Sequence, residues 1–185
     1  MEDLDGIRYL YRLKEIERLN SVGSRRESAA EHSWSCLVLA DYFMSRSDTG
    51  LDRLRVYELL VYHDVIELEA GDTPTEPGAD LTGKEERERA AIEPVGARLP
   101  PSLEDRFIAL HTEYQEQETA EARFAKSISA LDAMIHELDY PEDWKGWSEA
   151  FLTERKAHLF EPFPPLARTF SEILRYMREN GYFEA

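Results

Sequence analysis

Apolar residues along this chain recur every three to four positions and almost never alternate, so the pattern predicts helices throughout. Residues 5–19 read as a first helix, ended by the polar segment 20–26 with Gly23 as its punctuation. Ser28 suits the N-cap of a second helix, and Glu31 stands three residues on to complete a capping box. Within SAAEHSWSCLVLADYF, the residues His32, Cys36, Leu39 and Phe43 share one face. Residues 51–69 form a third helix that Gly71 and Pro74 stop, followed by a loop over 75–80. A charged helix over 82–98, interrupted by Pro94, lies partly in solvent; Pro100, Pro101 and Ser102 then lead into another over 103–114. Residues 118–138 carry the cleanest core stripe, Phe124, Ile128, Leu131, Ile135 and Leu138, and EPFPP separates two further helical pieces. No repeat and no linker divides the chain, so residues 1–185 are expected to form one all-α domain, a bundle of about seven helices.

Some positions in this pattern are not ordinary core. His63 and Asp64 are adjacent within VYELLVYHDVIELEAGDTP, and an unpaired buried carboxylate costs several kcal/mol unless a partner, a shifted pKa or a metal removes that cost. His32, 31 residues upstream, aims a second imidazole inward. Either histidine alone reads as a core residue satisfied by a backbone carbonyl; the adjacent aspartate shifts the reading towards a metal site. In a continuous helix Glu67, four residues after His63, faces the same cavity, and Asp72 follows in the turn GDTP. Such carboxylates can take or give a proton, and hydrolysis of a phosphate ester needs an activated water, a metal on the phosphoryl oxygens and an acid for the leaving alkoxide. A solvated Glu67 and a turn-forming Asp72 are the plain alternatives.

Composition narrows the possibilities. The aromatic content of 11% argues against disorder. The net charge of −16, from 22 basic and 38 acidic residues, repels polyanions and argues against a nucleic-acid surface. An anionic ligand must therefore be small and met locally, and Arg18, Arg25 and Arg26 are the obvious basic cluster, with solvated arginines as the alternative. No stretch approaches the roughly 18 apolar residues that span a bilayer, and MEDLDGIRYL is unlike a signal peptide, so no membrane association and a cytoplasmic location are expected. The single cysteine, Cys36, reads as a small buried hydrophobe.

The segments EHS at 31–33, HDVIELEAGDTP at 63–74 and EYQEQETAEARFAKSISALDAMIHELDY at 113–140 resemble the HD-domain phosphohydrolases, in particular the branch of bacterial 5′-deoxynucleotidases and their archaeal and eukaryotic relatives. The resemblance runs over about residues 13–140, with helices in 141–185 completing the bundle. It implies a phosphohydrolase acting on a nucleoside 5′-monophosphate or close analogue, and a homodimer. It further implies one divalent ion, manganese, cobalt, iron, zinc or magnesium, held by His32, His63, Asp64 and a distant aspartate. Glu67 and Asp72 would assist hydrolysis, and Arg18, with Arg25 as a further basic candidate, would contact phosphate.

One departure stands out. Without a gap, the position of the family's last metal-binding aspartate falls on Ser129, and a hydroxyl is a poor ligand beside a carboxylate. Asp132 and His136 share a flank of the same helix, Asp132 about 4.5 Å further along the axis. Either could substitute for the missing acid, or three residues and water could hold the metal weakly. The chain could also bind a nucleotide or partner without turnover, or serve as a tailoring phosphatase in a small-molecule pathway. Leu19 stands where the family often places an aromatic residue.

Overall fold

The computed structural model describes residues 2–46, 50–73 and 76–183. The expectation of helices holds: among the described residues there are eight α-helices of ten residues or more, one single-turn helix and a two-stranded sheet. Helix α1 (Glu2–Tyr11) runs into a 3-10 turn, Arg12–Glu15. The chain then forms β1 (Glu17–Val22) and β2 (Arg25–Ser28), an antiparallel hairpin in which Ser21 pairs with Arg26 and Val22 with Arg25. Helices α2 (Ala29–Arg46), α3 (Arg53–Tyr62) and the single turn α4 (Glu67–Ala70) follow. Then come α5 (Lys84–Gly96), α6 (Pro101–Glu116), α7 (Ala120–His136), α8 (Glu149–Phe160) and α9 (Pro164–Glu179).

Two expectations are corrected. Residues 16–19 are not helical, because Ile16 turns to extended backbone and β1 begins at Glu17. The helix expected over 51–69 is two helices, interrupted by a turn at 63–66; of its two stop residues, Gly71 caps α4 with φ of 71°, whereas Pro74 lies outside the described residues, as does Thr75. The expected capping box forms: Glu31 Oε2 accepts from Ser28 N at 2.9 Å while Glu31 N donates to Ser28 Oγ at 3.3 Å.

Helix α7 is the hub, touching α2, α3, α6, α8 and α9. Its Phe124, Ile128 and Leu131 are buried, and they join Leu59 and Leu60 of α3 and Cys36 and Phe43 of α2 in the larger apolar core. A second core packs Tyr9 and Leu13 against Val65, Ile66, Val95 and Phe107. Leu60 belongs to the first core and Val65 to the second, so the chain crosses between them through His63 and Asp64. The two cores fix both ends of that crossing, which sets the doublet at their seam.

Gly6 shows how closely the second core is closed. A Cβ built there would stand 2.5 Å from Pro100 Cδ and 2.8 Å from the Pro100 nitrogen. Gly6→Ala is therefore expected to destabilise by about 1–3 kcal/mol, more than the roughly 0.5–1 kcal/mol that alanine gains in a helix. Thermal unfolding would show it as a lowered midpoint; an equal or higher midpoint would mean that α1 is not held against Pro100.

Candidate metal and phosphate site

The turn at 63–66 is held by tight backbone bonds, Val65 N to Tyr62 O at 3.1 Å and Glu67 N to Asp64 O at 3.0 Å. It leaves the Leu60 carbonyl free to accept from His63 Nδ1 at 2.8 Å. A carbonyl only accepts, so Nδ1 carries the proton and Nε2 presents a lone pair. Burial holds His63 below its usual pKa and therefore neutral, although Asp64 opposes the shift. Nε2 has no hydrogen-bond partner, and Asp64 Oδ1 lies 3.2 Å from it. Burial alone would raise the Asp64 carboxyl, but His63, His32 and Arg18 hold it below its ordinary range. Two proton-free acceptors thus face each other in a buried place, an arrangement that a cation relieves.

His32 is fully buried and its ring centre is 5.4 Å from that of His63. Its Nδ1 donates to Asp132 Oδ2 at 2.9 Å, and the same oxygen accepts from Ser35 Oγ at 2.8 Å. That leaves Nε2 to accept from Ser129 Oγ at 3.1 Å. Asp132 thus sits behind His32 and fixes its tautomer, while Ser129 faces the lone pair. This is the relation of an outer-shell carboxylate to a metal-ligating histidine. His136 donates from Nε2 to the Ser21 carbonyl at 2.8 Å, and is turned to the hairpin.

The hairpin brings in the cation. Arg18 Nε binds Glu27 Oε2 at 3.2 Å and its Nη1 binds Asp64 Oδ2 at 3.4 Å. Burial would ease off its proton, but Asp64, Glu67, Asp72 and Glu27 hold it charged. Arg25 is not part of this group; it is over half exposed and paired with Glu31 at 2.5 Å. Arg26, on the other face of β2, lines the cavity instead. Burial pushes Glu67 well above the usual carboxyl range, with Asp64 and Asp72 adding to the rise, and Asp72 is raised as well by burial and lies close enough to share a hydrogen bond with Glu67. Glu67 therefore holds its proton more tightly than an ordinary carboxyl.

These groups open into a cavity of about 920 Å³. Asn20 Nδ2, His63 Nε2 and Glu67 Oε2 are buried without partners, and all three residues line it. Lys126, one turn before Ser129 on α7, stands 4.8 Å over the Tyr114 ring and reaches the same space. Lys156 enters from α8, its pKa lowered by burial to about 8. Sequence reasoning missed Asn20 and both lysines. The Gly23-Ser24 pair, a hairpin-turn dipeptide with Gly23 at φ of 60°, was the signal for the strand that carries Asn20. The lysines carried no signal, because charged residues on a helix normally face water.

A helical fold that breaks at a buried His-Asp doublet and sets a second histidine and an arginine against it is the HD-type scaffold. Residues 10–163 match the HD domain family, and the chain belongs to it. A solved structure from Magnetospirillum magnetotacticum MS-1, described as a predicted metal-dependent phosphohydrolase, is 30% identical; the match covers 100% of this chain and 95% of that one, with a TM-score of 0.88. The protein named 5′-deoxynucleotidase HDDC2 of Xenopus laevis is 31% identical over 116 residues, and that of Homo sapiens 28% over 142. These matches cover 63% and 75% of this chain, and 56% and 68% of the relatives, so the chain spans little more than half the length of the first. No helix among the described residues is long and apolar enough to cross a membrane.

Asp132→Asn tests the outer-shell placement. It is expected to lower divalent-metal affinity about 10- to 100-fold while leaving one ion bound at saturation, by titration calorimetry. Complete loss of the ion at saturation would make Asp132 a direct ligand instead.

Proposed function

We propose that this chain is a divalent-metal-dependent phosphohydrolase that removes phosphate from a nucleoside 5′-monophosphate or a close analogue. The observation that carries this reading is the facing pair, His63 Nε2 and Asp64 Oδ1 at 3.2 Å, in the cavity that Arg18 also lines. His32, His63 and Asp64 would hold the ion, with Ser129 at the remaining position. When bound, a divalent ion lowers the pKa of a water and neutralises phosphoryl oxygens.

The chain's own residues do the rest. Arg18 is pinned through Nε and Nη1, which leaves Nη2 for a phosphate oxygen, and its planar fork suits that geometry. Lys126 lines the same cavity and adds a second positive charge. Glu67, kept protonated, can give its proton to the leaving 5′ oxygen, and Asp72 holds that acid in place. The unpartnered Asn20 amide offers a donor to the substrate.

A screen of nucleoside monophosphates with manganese, cobalt, magnesium and zinc should find metal-dependent phosphate release. Glu67→Gln should keep the ion and slow release by about 10² to 10⁴; an unchanged rate would take Glu67 out of the mechanism. Ser129 favours a second reading, a nucleotide-binding HD protein without turnover, and a metal-loaded protein that binds nucleotide but releases no phosphate from any substrate would establish it.

Assembly as a homodimer is part of the same proposal. Trp34, Val38 and Tyr42 recur every four residues along α2 and are 67%, 53% and 49% exposed, an apolar row that a second copy would cover. Light scattering should give a dimer that Trp34→Glu converts to monomer; a monomeric parent protein would sink this part.

A further inference from the structure

The cavity is larger than a phosphate and an ion require. Its volume of about 920 Å³ falls among pockets that enclose a whole small ligand. Helix α7 supplies one wall: Lys126, Ser129, Ala133 and Glu137 all line the cavity and follow one another at spacings of three and four, with Glu137 at the C-cap. From Ser129, which faces the His32 lone pair, to Glu137 is about 12 Å along the helix axis, comparable to the length of a nucleoside monophosphate. Ala130 and Ala133 stand between them and, being small, take up little of that stretch.

Strand β1 runs beside this wall in the same direction. Arg18 meets Glu27, one carboxylate oxygen of which lies within 4.8 Å of one on Asp132; three residues further along β1, the Ser21 carbonyl accepts from His136. Asn20 falls between these two points, about 7 Å along the strand from Arg18. It is 6% exposed, it lines the cavity, and its Nδ2 has no partner. A buried donor without an acceptor points to a ligand that reaches past the phosphate.

The far end of the cavity holds Glu137 and Lys156. Burial pushes Glu137 up to about 7 and Lys156 down to about 8, and each is the strongest opposing charge on the other. Among the described residues no ion pair joins them, and Lys156 Nζ makes only a long bond, 3.5 Å, to the Ala130 carbonyl. An anionic acceptor and a cationic donor thus line one space without being matched to each other. The Glu137 carbonyl accepts from Trp144 Nε1 at 3.0 Å, which fixes the backbone carrying the carboxylate. Trp147 lines the same space, braced edge-on by Trp144 and Phe151 with ring centres 5.3 and 5.5 Å away, and a planar base can stack on such a ring.

We propose that the substrate lies along α7, with Asn20 on its sugar and with Glu137, Lys156 and Trp147 forming a nucleobase subsite that prefers guanine. Guanine alone among the common bases carries two adjacent N–H donors beside a carbonyl oxygen. The Glu137 carboxylate accepts from both N–H groups, and Lys156 donates to the oxygen. The inference rests on the function proposed above and deepens it by naming the base.

Guanosine, adenosine, cytidine and uridine 5′-monophosphates and their deoxy counterparts are the probes, each tested with manganese, cobalt, magnesium and zinc. Phosphate release gives kcat/KM, and titration calorimetry gives the same ranking even without turnover. The guanine nucleotides should lead the others by roughly 10- to 100-fold, the discrimination of one good bidentate pair. Glu137→Gln exchanges an acceptor for a donor, and a carboxamide pairs with adenine, so the guanine-to-adenine ratio should fall by a similar factor, through KM. Lys156→Met should lower the guanine-to-uracil ratio, whereas a misfolded variant would lose all substrates alike. Equal kcat/KM and equal affinity for all four bases overturn the subsite and leave the phosphohydrolase standing. A guanine preference that both variants keep unchanged overturns the assignment to these residues. Neither binding nor release of any nucleotide, by protein that holds the ion, overturns both readings. The ranking of the parent protein and Lys156→Met decide the matter if Glu137→Gln does not fold.

Discussion

The contact on which the rest depends is that of Arg18 with Asp64. It joins the hairpin to the break between α3 and α4, and it is nearly closed off from water, with side-chain exposures of 14% and 12%. At such depth an ion pair is worth keeping only if both charges are otherwise satisfied, since removing one partner strands the other. Glu27 meets the Nε of Arg18, so one guanidinium serves two carboxylates. Burial, together with the resulting excess of negative charge, pushes the Glu67 carboxyl upward. What remains unbalanced is the facing pair of acceptors, Asp64 Oδ1 and His63 Nε2. The acid, the arginine and this pair are thus one electrostatic arrangement.

That arrangement explains which parts of the molecule were legible in the sequence. Helices α2, α6, α7, α8 and α9 follow their apolar spacing, because each buries a stripe in a core, and α2 begins at the capping box expected of Ser28 and Glu31. Apart from its Gly23-Ser24 turn, the hairpin was illegible to apolar patterning for a physical reason. Its inward positions are Arg18 and Glu27, which pair by charge, and the polar Asn20, none of them apolar, so hydrophobic patterning is silent there. The break at 63–66 was hidden for the opposite reason: Val65 and Ile66 are as apolar as a helix interior, but they face a different core from Leu59 and Leu60. Among the site residues, the doublet and His32 were visible as polar groups in apolar surroundings. Arg18 stood out as part of a basic cluster and took its phosphate role from resemblance, while its partner Glu27 was reached through nothing in the pattern.

Ser129 and Asp132 show where spacing alone runs out. Both lie on one flank of α7, and helical geometry permits either to approach His32. The outcome is set by His32 itself, whose two ring nitrogens point in different directions and so sort the two residues onto opposite sides. Ser35, one turn of backbone past His32, anchors Asp132 on the Nδ1 side and removes it from competition for the lone pair.

The overall charge of −16 then acquires a specific meaning. A molecule so acidic does not gather anions by long-range attraction, and what attraction or repulsion reaches beyond about 8–10 Å is screened at physiological ionic strength. Any anion must be met locally, and the cavity gathers Arg18, Lys126 and Lys156, cations set in low-dielectric surroundings where each acts more strongly than at the surface. Lys156, with its pKa lowered to about 8, shows how far burial has already spent part of that charge, and Glu137 beside it partly restores it. A small anion can reach these cations, whereas a polyanion would have to extend over an acidic exterior. Arg25, exposed on the hairpin, is already paired with Glu31.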